Sequence, residues 1–437
     1  MTDFILAIGL LLTTASQFRL PGVPLGPGEV TLVVWILAML GRSLVSGVRA
    51  PSPAVPALLA FWGMFALAQS LGLLVAMATG EAIESDLVIH DAMAYVLVAV
   101  VGCLCANGAT RLRRVGWYLL IGGAVSLSLQ CLSAIGSLSI PGIDPWYWER
   151  FRGWSENPNQ LAVICLINVL VALYLADTAP RPGARAAALL LMVPALVAGR
   201  LSKSDTFMLA LLAAAIVWFV LKLLAWVRED RLHASLSGQV ARVAMVGLPL
   251  LLLCVTPLAL DEAADIRGFV TGFAKNGGAE VSEETDLRLT LWTQAIERGI
   301  HSAMIGLGPG PHLKIPAAII AGRVSTGVTL INITHPAQNG TANYEAHNTI
   351  LDVFTQGGLL AVASFLWLLA QATRSAYRSR SAGLMALLAG AATFMMTGNV
   401  VRQPVFWFAI VLCLCAPVLS IRRRELVPSI QPARPTT

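Results

Sequence analysis

The chain has 437 residues, of which 57% are hydrophobic and only 12% charged, with a net charge of +6. Soluble domains carry roughly 25% charged residues, so the composition excludes a soluble globular protein and points to helices crossing a bilayer. The positive charge then bears on orientation in the membrane rather than on nucleic acid.

Twelve apolar stretches near the length that spans a bilayer are predicted at about 3–19, 28–46, 54–79, 91–109, 115–138, 159–177, 184–200, 205–226, 242–260, 346–370, 382–399 and 404–421. In lipid each must satisfy its own backbone hydrogen bonds, so each reads as a helix. The expected fold is all-α: a polytopic integral membrane protein of about twelve transmembrane helices with one large outward loop containing short helices. Residues 1–260 carry helices one to nine, 261–345 the large loop, 346–421 the last three helices, and 422–437 a disordered cytoplasmic tail. Met1–Asp3 lacks the basic start of a signal peptide, so the first stretch reads as a span.

Counting alternate connections, one side holds Arg42, Arg49, Arg111, Arg113, Arg114, Arg181, Arg185, Lys222, Arg228, Arg231, Arg242, Arg374, Arg378, Arg380 and four arginines of the tail, which is 18 of the 30 basic residues. Cytoplasmic loops collect such an excess, so both termini are expected inside. Arg19, Arg150, Arg152, Arg200, Lys203 and Arg402 remain in short outward connections. They read either as leakage from the charge rule or as cations for an anionic substrate; guanidinium groups bind diphosphates bidentately.

The outward loop contains a predicted helix at Thr285–Gly299, capped by Thr285 and ended by Gly299. Leu289, Trp292, Ile296 and Ile300 form its apolar stripe, with Arg288 at the edge. "GLGPGP" at 306–311 breaks the chain and is not a phosphate-binding P-loop, because no Gly-Lys-Ser/Thr follows.

Trp146, Tyr147, Trp148, Phe151 and Trp154 surround Arg150 and Arg152. They read either as an interfacial aromatic belt or as flat platforms for sugar rings beside hydroxyl- and phosphate-binding groups. "NPN" at 157–159 starts the next span, with Asn157 as cap and Pro158 in the first turn. The seven cysteines fall inside or near the inner ends of spans, which removes a disulfide framework and a thiolate zinc site from the outward side. No histidine pair has metal-ligand spacing, and no Gly-x-Ser-x-Gly elbow is present.

His347 lies at the outward mouth of the tenth span, on the same side as the surplus arginines. It reads either as an interfacial anchor or as a base that takes a proton from a hydroxyl. Asp352, five residues on, is about 140° around a helix and does not share a face with it, whereas Asn348 and Asp352 do.

"AHNTILDVFTQGGLLA" resembles the His-Asn signature of the superfamily of O-antigen ligases and Wzy-type O-antigen polymerases. "RGWSENPNQLA" at 152–162 is similar to its Asn-Pro-Asn element, "LSKSDTFMLAL" at 201–211 occupies the place of a Ser-Arg-Gly element, and "DLRLTLWTQAI…GLGPG" at 286–310 resembles its Arg-x-x-x-Trp…Gly-x-Gly segment. The resemblance implies a GT-C-type glycosyltransferase of the bacterial inner membrane, with both termini cytoplasmic and a periplasmic site. Such an enzyme moves a glycan from undecaprenyl diphosphate to an acceptor hydroxyl, which is lipid A–core for a ligase and another lipid-linked repeat for a polymerase. It needs no nucleotide, cofactor or metal. The expected catalytic residues are His347 as base and Arg288 at the diphosphate. Arg152, Arg200, Lys203, Arg402, Asn157, Asn159, Trp154, Trp292 and Asn348 are the expected donor- and glycan-binding residues. The ligase reading is preferred to the polymerase one. A secondary transporter or lipid-linked glycan flippase is the alternative from another class, disfavoured because the ionisable residues gather at one mouth of the bundle.

Overall fold

The computed structural model describes residues 1–19, 25–46, 52–81, 85–147, 149–229, 283–314 and 343–419. Twelve helices are named here: α1 (Thr2–Leu12), α2 (Pro27–Ser46), α3 (Ala54–Thr79), α4 (Ser85–Asn107), α5 (Leu112–Ala134), α6 (Pro158–Thr178), α7 (Pro182–Leu201), α8 (Asp205–Glu229), α9 (Glu283–His301), α10 (Thr349–Arg378), α11 (Ala382–Met395) and α12 (Pro404–Leu414). Among the described residues, α2 to α8 and α10 supply eight segments long and apolar enough to cross a membrane, while α1, α11 and α12 are shorter apolar helices. The protein is an all-α polytopic membrane protein. Eleven of the twelve expected spans fall on these helices. The span at 242–260 with residues 230–241 before it, the loop parts 261–282 and 315–342, and the tail from 420 lie outside the described residues.

Local chemistry sets several boundaries. α1 is shorter than expected, and the Thr13 and Thr14 hydroxyls donate back to the Leu10 and Leu11 carbonyls at 2.8 and 3.0 Å, a contact that competes with the helix ladder. α3 ends on Gly80 in the left-handed conformation (φ 69°). α6 starts as expected: Asn157 accepts the Asn159 amide at 2.8 Å and Pro158 fills the first turn. α6 is buried on nearly every side, from Leu161 to Ala176, and α5, α7, α8, α11 and α12 pack around it. Phe61, Trp62, Phe65, Phe365 and Trp407 join α3, α10 and α12, with ring centroids 4.5–6.3 Å apart. Close ring packing of this kind supplies cohesion that lipid cannot, because hydrocarbon gives no hydrophobic drive between helices.

The two ends of the bundle differ in charge chemistry. At the basic end, Asp3 pairs with Arg111 and Arg114, Lys222 pairs with Asp177, and Arg113 donates to the Thr178 carbonyl at 3.0 Å. At the other end lie the starts of α4, α6, α8, α10 and α12.

α10 is broken at Gly358 (φ 59°, ψ −157°), a backbone region essentially restricted to glycine. The break is filled by residues 304–308: Leu359 N donates to Met304 O at 2.9 Å, Leu307 N to Thr355 O at 2.9 Å, and Gly308 N to Gln356 O at 2.7 Å. Met304 and the Leu307 and Gly308 amides of the "GLGPG" turn thus bond to the interrupted helix, so that backbone groups freed inside the bundle are satisfied. A Cβ on Gly358 would overlap the Met304 carbonyl. Gly358→Ala is therefore expected to cost more than about 1 kcal/mol, read as a lower thermal midpoint in detergent and reduced yield of folded protein.

α9 corrects three expectations. It begins at Glu283, before Thr285, and continues past Gly299 to His301. Its buried line is Leu291, Ala295 and Gly299, while Ile296 and Ile300 are about half exposed. The reason is steric: α9 packs on α10, and the Phe354 ring occupies the space that a Cβ on Gly299 would need. Gly299 serves close packing rather than termination.

Candidate active site at the mouth of a broken helix

His347 sits between the short strand Asn343–Tyr344, paired antiparallel with Leu313–Lys314, and the first turn of α10. It adopts a left-handed backbone (φ 52°), which costs a non-glycine residue on the order of 1–2 kcal/mol. The surroundings enforce it from both sides. The Ala346 N–H donates to Asp352 Oδ1 at 2.6 Å, and the Ala346 carbonyl accepts Trp292 Nε1 of α9 at 3.0 Å. On the other flank, Asn348 Oδ1 caps the Ile350 and Leu351 amides, and its Nδ2 donates to Met396 O at 3.0 Å. Asp352 thus acts on the peptide preceding His347. Lys203, Ala303, Met304 and Arg380 share this backbone region; what sets His347 apart is that side chains from two helices fix the peptides on both sides of it.

Arg288 is half-buried on α9, one turn before Trp292, and four residues apart on a helix share a face. The bond from Trp292 to Ala346 therefore sets Arg288 on the side of α9 that faces the His347 loop. Trp292→Phe keeps the ring and removes the Nε1–H donor. It is expected to lower kcat about tenfold while the donor KM changes less than about twofold, measured in purified protein.

A buried polar layer lies beneath. Tyr95 Oη donates to Gln356 Oε1 at 2.5 Å, and Gln356 Nε2 donates to Gly310 O at 3.1 Å. His312 contacts the Gly308 carbonyl at 2.8 Å; burial holds its imidazole below the ordinary value, partly offset by that bond. Arg402, in the turn before α12, ion-pairs with Asp91 of α4 and with Glu345.

The second group of expected residues reaches the same end of the bundle. Arg150 Nη2 donates to Asn159 Oδ1 at 3.0 Å, and Ser204 Oγ reaches the same oxygen at 3.3 Å. Thr206 and Thr397 share a hydroxyl contact of 2.6 Å, and Thr349 Oγ1 donates to Gly398 O at 2.6 Å. Residues 396–400 therefore join the α6–α8 mouth to the first turn of α10 in one polar chain.

Within it the expected residues are held differently. Arg152 bonds Asp144 and lies 5.6 Å over the Tyr147 ring. Lys203 pairs with Glu149 at 2.9 Å at the surface, which lowers the Glu149 pKa; such exposed pairs contribute little. Arg200 is exposed at the end of α7. Asn157 and Asn348 use their side-chain oxygens as helix caps. Trp154 packs edge-on against Phe18, with centroids 5.5 Å apart, and its amide donates to Gln130 Oε1. Of the other aromatics, Trp146 and Phe151 pack together in a hairpin, and Trp148 lies outside the described residues.

Sequence reasoning passed over Asp91, Tyr95 and Gln356 as site residues. The signal for Asp91 was available: an ionisable residue in an apolar helix is a functional candidate by its cost alone. Among the described residues no three His, Cys, Asp or Glu side chains are grouped to hold a metal ion.

A search of the curated proteins gave no match. Residues 187–366 match the family model described as O-antigen ligase. The matched range takes in Arg200, Lys203, Arg288, Trp292, the "GLGPG" loop, His347, Asn348 and the α10 break. Over these residues, fewer than half of the 437, the chain is similar to the O-antigen ligase family, and the match supports a place in the O-antigen ligase/Wzy superfamily.

Proposed function

We propose that the protein is a glycosyltransferase that moves a glycan from undecaprenyl diphosphate to an acceptor hydroxyl, with His347 as general base and Arg288 at the diphosphate. The observation that supports it is the clamping of His347 at the mouth of the broken helix, with Arg288 one turn from the tryptophan that helps clamp it. The acceptor oxygen attacks the anomeric carbon as its proton passes to the His347 imidazole. The bond from that carbon to the diphosphate breaks, and its electron pair leaves with the lipid diphosphate. Arg288 offsets the charge that grows there. The leaving group arrives activated, so no nucleotide or metal enters the step, and chelator-treated protein is expected to keep its rate.

The active site is read as periplasmic, in the inner membrane, from the basic excess at the opposite end of the bundle. Arg200 and Lys203 are the exposed cations for the glycan or its phosphates, with Arg152, Asn159 and Trp154 forming the adjoining wall. The acceptor is read as lipid A–core, in keeping with the ligase description of the matched family. Deletion followed by electrophoresis of surface glycans tests this choice. Loss of all long glycan from lipid A–core supports the ligase reading, whereas a single repeat left attached identifies a polymerase.

A further inference from the structure

Arg402 was expected among the donor-binding residues, yet its guanidinium is already engaged on two sides. Nη1 pairs with Asp91 of α4, and Nη2 pairs with Glu345, two residues before His347. The Asp91 side chain is only 2% exposed, and it also meets His90 Nδ1 at 3.1 Å. The turn that carries Arg402 is fixed from behind, because Trp407 Nε1 donates to the Val401 carbonyl at 2.6 Å. A diphosphate bound here would have to displace a carboxylate and then lie beside it. Stripping the partner from a buried charge is strongly unfavourable, and a second anion adds repulsion.

The pairing has a different consequence for the chain. It ties three segments that are far apart in sequence: α4, the strand leading to His347, and the turn before α12. Asp352 and Trp292 hold the Ala346 peptide, while Arg402 holds the side chain of the residue before it. We infer that Arg402 is a positioning residue, which anchors the approach to His347 against α4 through Glu345 and Asp91 and does not ligate the donor. The inference rests on the reading of His347 as the base.

The test uses the full-length protein in lipid nanodiscs. Amide hydrogen exchange over residues 344–348 is measured without substrate, beside steady-state transfer, for Arg402→Gln, Arg402→Lys, Glu345→Gln and the double variant Arg402→Gln/Glu345→Gln. Arg402→Gln is expected to speed exchange about tenfold or more and to lower kcat by about the same factor, with donor KM changed less than about twofold. The double variant is expected to be no worse than Arg402→Gln alone, since both changes break one linkage. Arg402→Lys is expected to restore part of kcat, because one ammonium keeps the charge but cannot span both carboxylates with a fork.

Donor KM raised about tenfold with exchange unchanged would overturn the inference and make Arg402 a donor ligand. Where Arg402→Gln does not fold, Glu345→Gln decides, since it removes one arm and leaves the Asp91 pair. Faster exchange with unchanged donor KM supports the inference, and unchanged exchange overturns it. Because exchange is read without substrate, a wild-type chain that transfers no glycan refutes the functional reading while exchange still answers for Arg402.

Discussion

His347→Ala is expected to lower glycan transfer by about 100- to 10,000-fold, the range supplied by a positioned general base. Donor affinity should change less than about twofold, since the lost contact is to the acceptor proton and forms as the reaction proceeds. The size of the effect follows from how His347 is held. Its backbone is left-handed, and the peptides on either side are fixed by Asp352, Trp292 and the Asn348 cap. A histidine that only anchors the loop at the membrane surface is the competing reading. Kinetics of the purified variant, with donor affinity measured separately, distinguish the two. A base gives a loss confined to kcat, whereas an anchor gives little loss of transfer.

Arg288→Ala is expected to weaken donor binding by roughly 10- to 100-fold, the range of a charged hydrogen bond to an anion, and to lower kcat as well if the same guanidinium meets the growing charge on the leaving diphosphate. Arg288→Lys should recover only part of this, because an ammonium keeps the charge but not the planar two-donor fork. The prediction follows from placement: Arg288 and Trp292 share a face of α9, and Trp292 is bonded to the residue preceding His347. Titration of each variant with a lipid diphosphate lacking the glycan reads the binding component alone. Unchanged affinity in Arg288→Ala would move the diphosphate to another cation, with the exposed Arg200 and Lys203 the first to examine.

Much of the architecture was legible in the sequence because apolar length is a local property. α2 to α8 and α10 to α12 lie where charge-free runs placed them, and the Asn157–Pro158 start of α6 follows from its own residues. α9 was visible through its three- and four-residue spacing, but its packing line was not. That line depends on Gly299 receiving Phe354, which belongs to another helix. The break in α10 shows the same limit. "QGGLL" carries two adjacent glycines, but only the return of residues 304–308 to that point explains why one of them must be Gly358.

The candidate site divides in the same way. His347, Arg288 and Trp292 stood out by residue type and by position at the mouth of the bundle, and the structure brings their segments together. Helix geometry also removed Asp352 as a side-chain partner for His347 without revealing its bond to the Ala346 amide, because the chain is not yet helical at that residue. The links of Arg402 to Asp91 and Glu345 span 311 and 57 residues, and no local pattern encodes such distances. Asn348 looked like a substrate amide from its motif, whereas capping and a bond to Met396 engage both ends of its side chain.

One-sided chemistry on a lipid diphosphate is open to test by reconstitution. Purified protein in nanodiscs, where no gradient can exist, is supplied with undecaprenyl-diphosphate-linked glycan and lipid A–core in the presence of a chelator. One-sided transfer is expected to join glycan to lipid A–core with release of one undecaprenyl diphosphate per transfer, and His347→Ala is expected to lose both products. Donor left intact under these conditions, with lipid-linked glycan crossing the bilayer only when the protein is placed in sealed vesicles, would contradict it and identify a transporter.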